Sequence, residues 1–78
     1  MYEVIATPSF LNTLKKSVFS KEQKEDLITL LEYLSEYPSG YGKEKGLSIV
    51  QEIIFSFGKI WYDVDTQNQI VLLHALEI

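Results

Sequence analysis

Past its first few residues, the hydrophobic period of this chain changes once, at Pro38, and that change sets its architecture. Before it, Leu27, Leu30, Leu31 and Leu34 recur at i, i+3, i+4 and i+7, the one-sided stripe of an amphipathic helix. After it, Ile53, Phe55 and Phe57 alternate with Ile54 and Ser56, and Ile60, Tyr62 and Val64 alternate with Lys59, Trp61, Asp63 and Asp65. A period of two belongs to a strand with one buried face. Helices therefore precede a run of strands, which predicts an α+β fold with the helices on one side of a small, mainly antiparallel sheet.

Local signals place the boundaries. YEVIA, Tyr2 to Ala6, is rich in β-formers and reads as an opening strand. Thr7-Pro8 has the form of an N-cap followed by proline at the first helical position, and Phe10, Leu11, Leu14 and Val18 give a short first helix its stripe. Ser20 and Gln23 form an S-x-x-Q capping box that opens a second helix over about Lys21 to Glu36. Pro38 ends it. The two helices read as an αα-hairpin.

PSGYGKEKG, Pro38 to Gly46, has the glycine and proline content of a flexible connection. Asp65-Thr66-Gln67-Asn68 is turn chemistry, and Gln69 to Ile78 is a final hydrophobic strand. The predicted order is β-α-α-β-β-β, a single domain over residues 1–78.

Composition limits the function classes. Seventy-eight residues lie near the lower bound for a self-sufficient core, but 46% hydrophobic content is enough to build one. The absence of cysteine excludes disulfides and cysteine-based zinc sites, and a lone histidine does not suggest a structural metal. No cofactor is expected. No segment is long and apolar enough to span a bilayer and no signal-peptide pattern opens the chain, so the expected location is the cytoplasm, without membrane contact. Eleven acidic residues against seven lysines, with no arginine, give a net charge of −4. That balance argues against a general nucleic-acid binder, and binding to DNA by this chain alone is not expected.

The opening YEVIATPSFLNTLKK and the later stretch VQEIIFSFGKIWYDVDTQNQIVLLHAL carry a resemblance. The arrangement resembles the RelE/ParE superfamily, the toxins of bacterial type II toxin–antitoxin modules, with the texture of HigB-like and phage-derived members. In that family the later stretch reads like yElRf…yRilYf…ivlLhgF. The resemblance implies a RelE-like fold and a toxin that inhibits translation by metal-independent cleavage of messenger RNA, commonly on the ribosome. It also implies neutralisation by a cognate antitoxin. In such chemistry a ribose 2′-hydroxyl attacks, cations stabilise the phosphate, and other side chains move protons.

Carried over position by position, the resemblance puts Lys59 at the arginine of yRilY and Tyr62 at its tyrosine. Ile54 stands where the arginine of ElRf is expected, and the chain ends Glu77-Ile78 where relatives often carry lysines. The candidate catalytic residues are Lys59, Tyr62 and His74. Lys43 and Lys45 are candidates for RNA-phosphate contact, and Trp61 and Tyr41 for stacking on a base or a partner segment. Plainer readings stand beside these. Gly58-Lys59 fits a Gly-X turn pair, Tyr62 shares a face with Ile60 and Val64, and His74 shares an apolar stripe with Ile70, Leu72 and Leu76. The alternative function on the same fold is a non-catalytic or ParE-like member that acts by protein binding.

Overall fold

The computed structural model describes residues 1–38, 43–44 and 50–78. Its elements are β1 (Glu3–Ala6), α1 (Pro8–Lys16), α2 (Lys21–Glu36), β2 (Lys43–Glu44), β3 (Gln51–Phe55), β4 (Gly58–Asp65) and β5 (Ile70–Glu77). The strands form one sheet in the order β1-β5-β4-β3-β2. Of these pairings β1 with β5 is parallel, and the others are antiparallel. This is the expected α+β arrangement, with a two-residue strand, β2, added between α2 and β3. Positions 39–42 and 45–49 lie outside the described residues.

Both helix starts form as their sequence dictates. The Thr7 hydroxyl accepts the Phe10 N–H at 3.3 Å with Pro8 at the first helical position. Ser20 and Gln23 close a reciprocal box: the Ser20 hydroxyl accepts the Gln23 N–H at 3.1 Å, and the Gln23 side-chain oxygen accepts the Ser20 N–H at 2.9 Å. Helix α1 stops at Lys16 because the Thr13 carbonyl accepts both the N–H and the hydroxyl of Ser17. Val18 therefore falls beyond the helix and is almost fully exposed, and Leu11 is also largely exposed. The stripe expected of α1 is carried by Phe10, with Leu14 half-buried beside it.

Phe10, Leu27 and Leu34 from the helices meet Ile53, Ile60, Tyr62, Val71, Leu73 and Leu76 from the sheet. Burying each such side chain stabilises the fold by about 1.5–3 kcal/mol, so this one interface holds the helices to the sheet. The β3–β4 hairpin turns at Ser56 and Phe57, with Phe55 paired to Gly58. Gly58-Lys59 is therefore not the turn pair. Gly58 is needed for another reason: a Cβ there would run into the Glu77 carbonyl oxygen on β5. At the hairpin tip the Phe57 ring meets Phe55 at 4.7 Å and Phe19 at 5.7 Å, both edge-on, which ties the tip to the junction between the helices.

One irregularity decides how the far face of the sheet is built. Trp61 pairs with Ala75 and Tyr62 with Leu73, so β5 carries one extra residue, His74, as a β-bulge. The alternation of β5 changes phase there. Val71 and Leu73 face the core before the bulge and Leu76 after it. His74 consequently does not share a face with Leu76, as strict alternation predicts. It stays with Leu72 and Ile70 on the face that neither helix covers, while Leu76 crosses to the core side. Among the described residues, no helix is long and apolar enough to cross a membrane.

Candidate functional site

The uncovered face of the sheet presents the polar positions of β4 in a row: Lys59, Trp61, Asp63 and Asp65. This is the register that buries Ile60 and Tyr62 on the other side. The Lys59 ammonium sits 5.0 Å from the centre of the Trp61 ring, a cation–π contact along one strand. It also lies 4.0 Å from Glu52 Oε2, whose residue is paired across the ladder with Trp61.

Two residues further along the same face, Asp63 meets the bulged histidine. His74 Nε2 lies 2.9 Å from Asp63 Oδ2, with both side chains part-buried. An ionised carboxylate only accepts, so Nε2–H donates. In the neutral imidazole this fixes the tautomer and leaves Nδ1 as an acceptor, the arrangement in which a carboxylate orients a proton-transfer base. The other carboxylate oxygen, Oδ1, is buried with no hydrogen-bond partner among the described residues. The imidazole is thus the group that defines how Asp63 is held.

The bulge is anchored from below. Thr7 donates its hydroxyl to the His74 carbonyl at 2.8 Å and its N–H to the Leu73 carbonyl at 3.0 Å. The residue that caps α1 therefore also holds the strand irregularity beyond which Leu76 turns to the core.

Tyr62 is placed differently. It is fully buried, and its hydroxyl points to the Pro38 carbonyl at 3.5 Å. The structure thus brings Lys59, Trp61 and His74 onto one face and puts Tyr62 on the other. Lys43 lies in β2, opposite Glu52 in the ladder. Lys45 and Tyr41 lie outside the described residues. Among those residues no group of three or more His, Asp or Glu side chains is disposed to hold a metal ion.

Two parts of this face do not emerge from the sequence. Asp63 has a partner in His74 because the β4–β5 register sets it opposite Leu72, two residues before His74, and neither strand's own pattern shows that register. The second part is a depression of about 590 Å³ at the β4–β5 end, floored by Ile5, Ile70 and Leu72 and edged by Asp63 and Asp65. Asp65 itself organises the turn. Its carboxylate accepts the Asn68 side-chain amide at 2.8 Å and the N–H groups of Asn68 and Gln67, each at 3.1 Å. These bonds, the Asn68 amide foremost, hold its carboxyl below the usual range.

No protein-family profile matches the chain, and no curated protein matches it by sequence. Solved structures do. A chain of the intact E. coli RelBE toxin–antitoxin complex superposes with a TM-score of 0.80 at 19% identity, over 99% of this chain and 95% of that one. The isolated E. coli RelE toxin gives 0.80 at 19% identity, over 99% and 83%. A chain of the toxin–antitoxin complex RelBE2 from Mycobacterium tuberculosis gives 0.75 at 20% identity, over 97% and 95%. The chain has the RelE-like fold.

Proposed function

We propose that this chain is the toxin of a toxin–antitoxin module and that it inhibits translation by cleaving messenger RNA at the open face of its sheet. The fold likeness supports a toxin that is captured by an antitoxin, since the structures of similar fold are RelE toxins and their RelB complexes. The observation that carries the chemistry is the hydrogen bond between His74 and Asp63. It sets an oriented imidazole on the same face as a lysine, the two kinds of group that RNA cleavage by an internal 2′-hydroxyl requires.

In this reading His74 takes the 2′-hydroxyl proton through Nδ1, with Asp63 positioning the ring. The 2′-oxygen bonds to phosphorus, the P–O5′ bond breaks to leave a 2′,3′-cyclic phosphate, and the departing 5′-oxygen takes a proton from water. Lys59 neutralises charge on the phosphate. Lys59 and Asp63 are four residues apart on β4, about 13 Å between α-carbons at roughly 3.3 Å per residue, and the Lys59 side chain closes part of that span by reaching over Trp61, which lies between them. Lys43 and Lys45 supply further phosphate contact from the segment before β3. Tyr62 serves by packing, because its hydroxyl faces inward. The site of action is the cytoplasm, where ribosomes and messages are.

The test is induction of the protein in a bacterium, with 5′ ends of messages mapped before and after growth stops. New ends in coding regions, lost in His74→Gln and Lys59→Ala with the fold retained, are the expected result. Growth arrest with messages intact removes the nuclease.

A second reading has its own observation. Among the side chains described, the open face carries Glu3, Glu52, Asp63, Asp65 and Glu77 against Lys59 and His74. A face so acidic repels a polyanion and suits protein binding. On that reading the chain is a non-catalytic, ParE-like member, and arrest without RNA cleavage is its signature.

A further inference from the structure

The depression at the β4–β5 end of the open face combines two features, of which the RNA chemistry uses Asp63 alone. Its floor is aliphatic: Ile5 is 39% exposed, and Ile70 and Leu72 lie beside it on β5. In the parallel ladder, Val4 pairs with Val71 and Ile5 with Leu72, so the floor is continuous from the edge strand inward. Its rim is anionic. Asp63 is paired with Leu72, Asp65 with Ile70, and the exposed Glu3 with Ile70 from the other side. Aliphatic surface exposed to water is unfavourable by about 25 cal/mol per Å², so this floor is a place where covering is stabilising. The rim then selects what covers it.

We infer that this depression is a docking site for a segment of a partner protein in which a lysine or arginine alternates with branched aliphatic residues. The inference rests on the toxin–antitoxin reading for the partner being a protein, and it adds the polarity of the contact. Charge complementarity is the argument. The apolar residues of the segment fill the floor, and its cation lies against Asp65 and Glu3. The Asp65 carboxylate is already fixed in direction by Asn68 and Gln67 and is exposed on its outer side, so it meets a cation at little further ordering cost. A phosphate placed here faces carboxylates on two strands. The end of the sheet near Asp65 thus belongs to a cationic protein segment, and the end near Lys59 to the anion of the proposed reaction.

The experiment uses the isotopically labelled chain and two short synthetic peptides. One alternates lysine with valine and isoleucine; the other carries glutamate in place of each lysine. Amide shifts on titration should centre on Ile5, Ile70 and Leu72 for the basic peptide and be absent for the acidic one. In Glu3→Gln with Asp65→Asn the affinity should fall by about fivefold per charge removed, whereas Glu22→Gln with Glu25→Gln on α2 leaves it unchanged. Ile5→Ser should weaken binding as well. Equal binding of both peptides, shifts centred elsewhere, or full competition by spermidine overturns the proposal, the last because a bare polycation needs no aliphatic floor. Growth arrest on induction separates the two readings. Arrest without peptide binding removes only this site, and binding without arrest keeps the surface and removes the toxin.

Discussion

The hydroxyl of Thr7 donates to the main-chain carbonyl of His74 at 2.8 Å, joining the cap of α1 to the bulge of β5. The same oxygen accepts the Phe10 N–H, so a single side chain starts a helix and pins the bulged residue of the strand. Sixty-seven positions separate the two residues in sequence.

Thr7→Val keeps the shape and removes both bonds. The loss of a cap and of a part-buried hydroxyl bond together is expected to cost about 2 kcal/mol. Urea unfolding should show a lower midpoint with an unchanged slope, and Thr7→Ser should recover most of the difference. An unaltered midpoint in Thr7→Val would show that the bulge is held by the ladder alone.

Gly58→Ala tests the close approach of β4 and β5. The added methyl meets the Glu77 carbonyl, which is backbone and cannot swing aside. Separation of the strands or a shift of the hairpin should cost about 2 kcal/mol, measured again by denaturant midpoint. A glycine needed for a turn would instead show a positive φ, and among the described non-glycine residues that conformation is found at Gln69, φ 56°, in the other hairpin.

These two positions show how far the sequence can be read. The caps at Thr7 and Ser20, the stripe of α2, the alternation of β4 and the outward placement of Lys59, Trp61 and Asp63 all follow from local chemistry, and each forms as expected. The phase of β5 beyond Leu73 does not. A bulge is selected by contacts from distant residues, here Thr7 on the His74 carbonyl, and period-two reasoning leaves Leu76 on the stripe of Ile70, Leu72 and His74 without it. Gly58 misleads for a related reason, because its decisive neighbour in space is Glu77 and not the next residue. The pairing of His74 with Asp63 depends on the β4–β5 register, which no local pattern shows, even though each residue stands out in the sequence.

Asp65 gives the chain a pH dependence whose sign is set by its turn. Hydrogen bonds from Asn68 and Gln67 stabilise the carboxylate, so its folded pKa lies below its unfolded value. Its contribution is full above the ordinary carboxylate range and is lost as pH falls through the folded value. Thermal unfolding of the wild type should therefore lose Tm between about pH 5 and about pH 3, and Asp65→Ala should lose less over that interval. Parallel curves for the two proteins would assign the acid sensitivity to other carboxylates.

Tyr62 and His74 separate packing from the proposed proton transfer. Tyr62 is fully buried with its hydroxyl on the Pro38 carbonyl, whereas His74 stands on the open face beside Asp63. A group that moves a substrate proton has to reach the substrate, and only the imidazole does so without the core opening. Tyr62→Phe is therefore expected to retain growth inhibition and RNA cleavage, with a stability loss of about 1 kcal/mol. His74→Gln keeps a donor for Asp63 and comparable volume but cannot shuttle a proton. It should fold, retain antitoxin binding, and lose cleavage by about 100-fold or more. Asp63→Asn should lower cleavage less than His74→Gln does, because it disturbs the orientation of the ring and not the ring itself. The deciding measurement is single-turnover cleavage of a defined RNA by all three variants. Full cleavage by His74→Gln together with loss in Tyr62→Phe would move the chemistry to the phenol and require the core beneath Pro38 to open during the reaction.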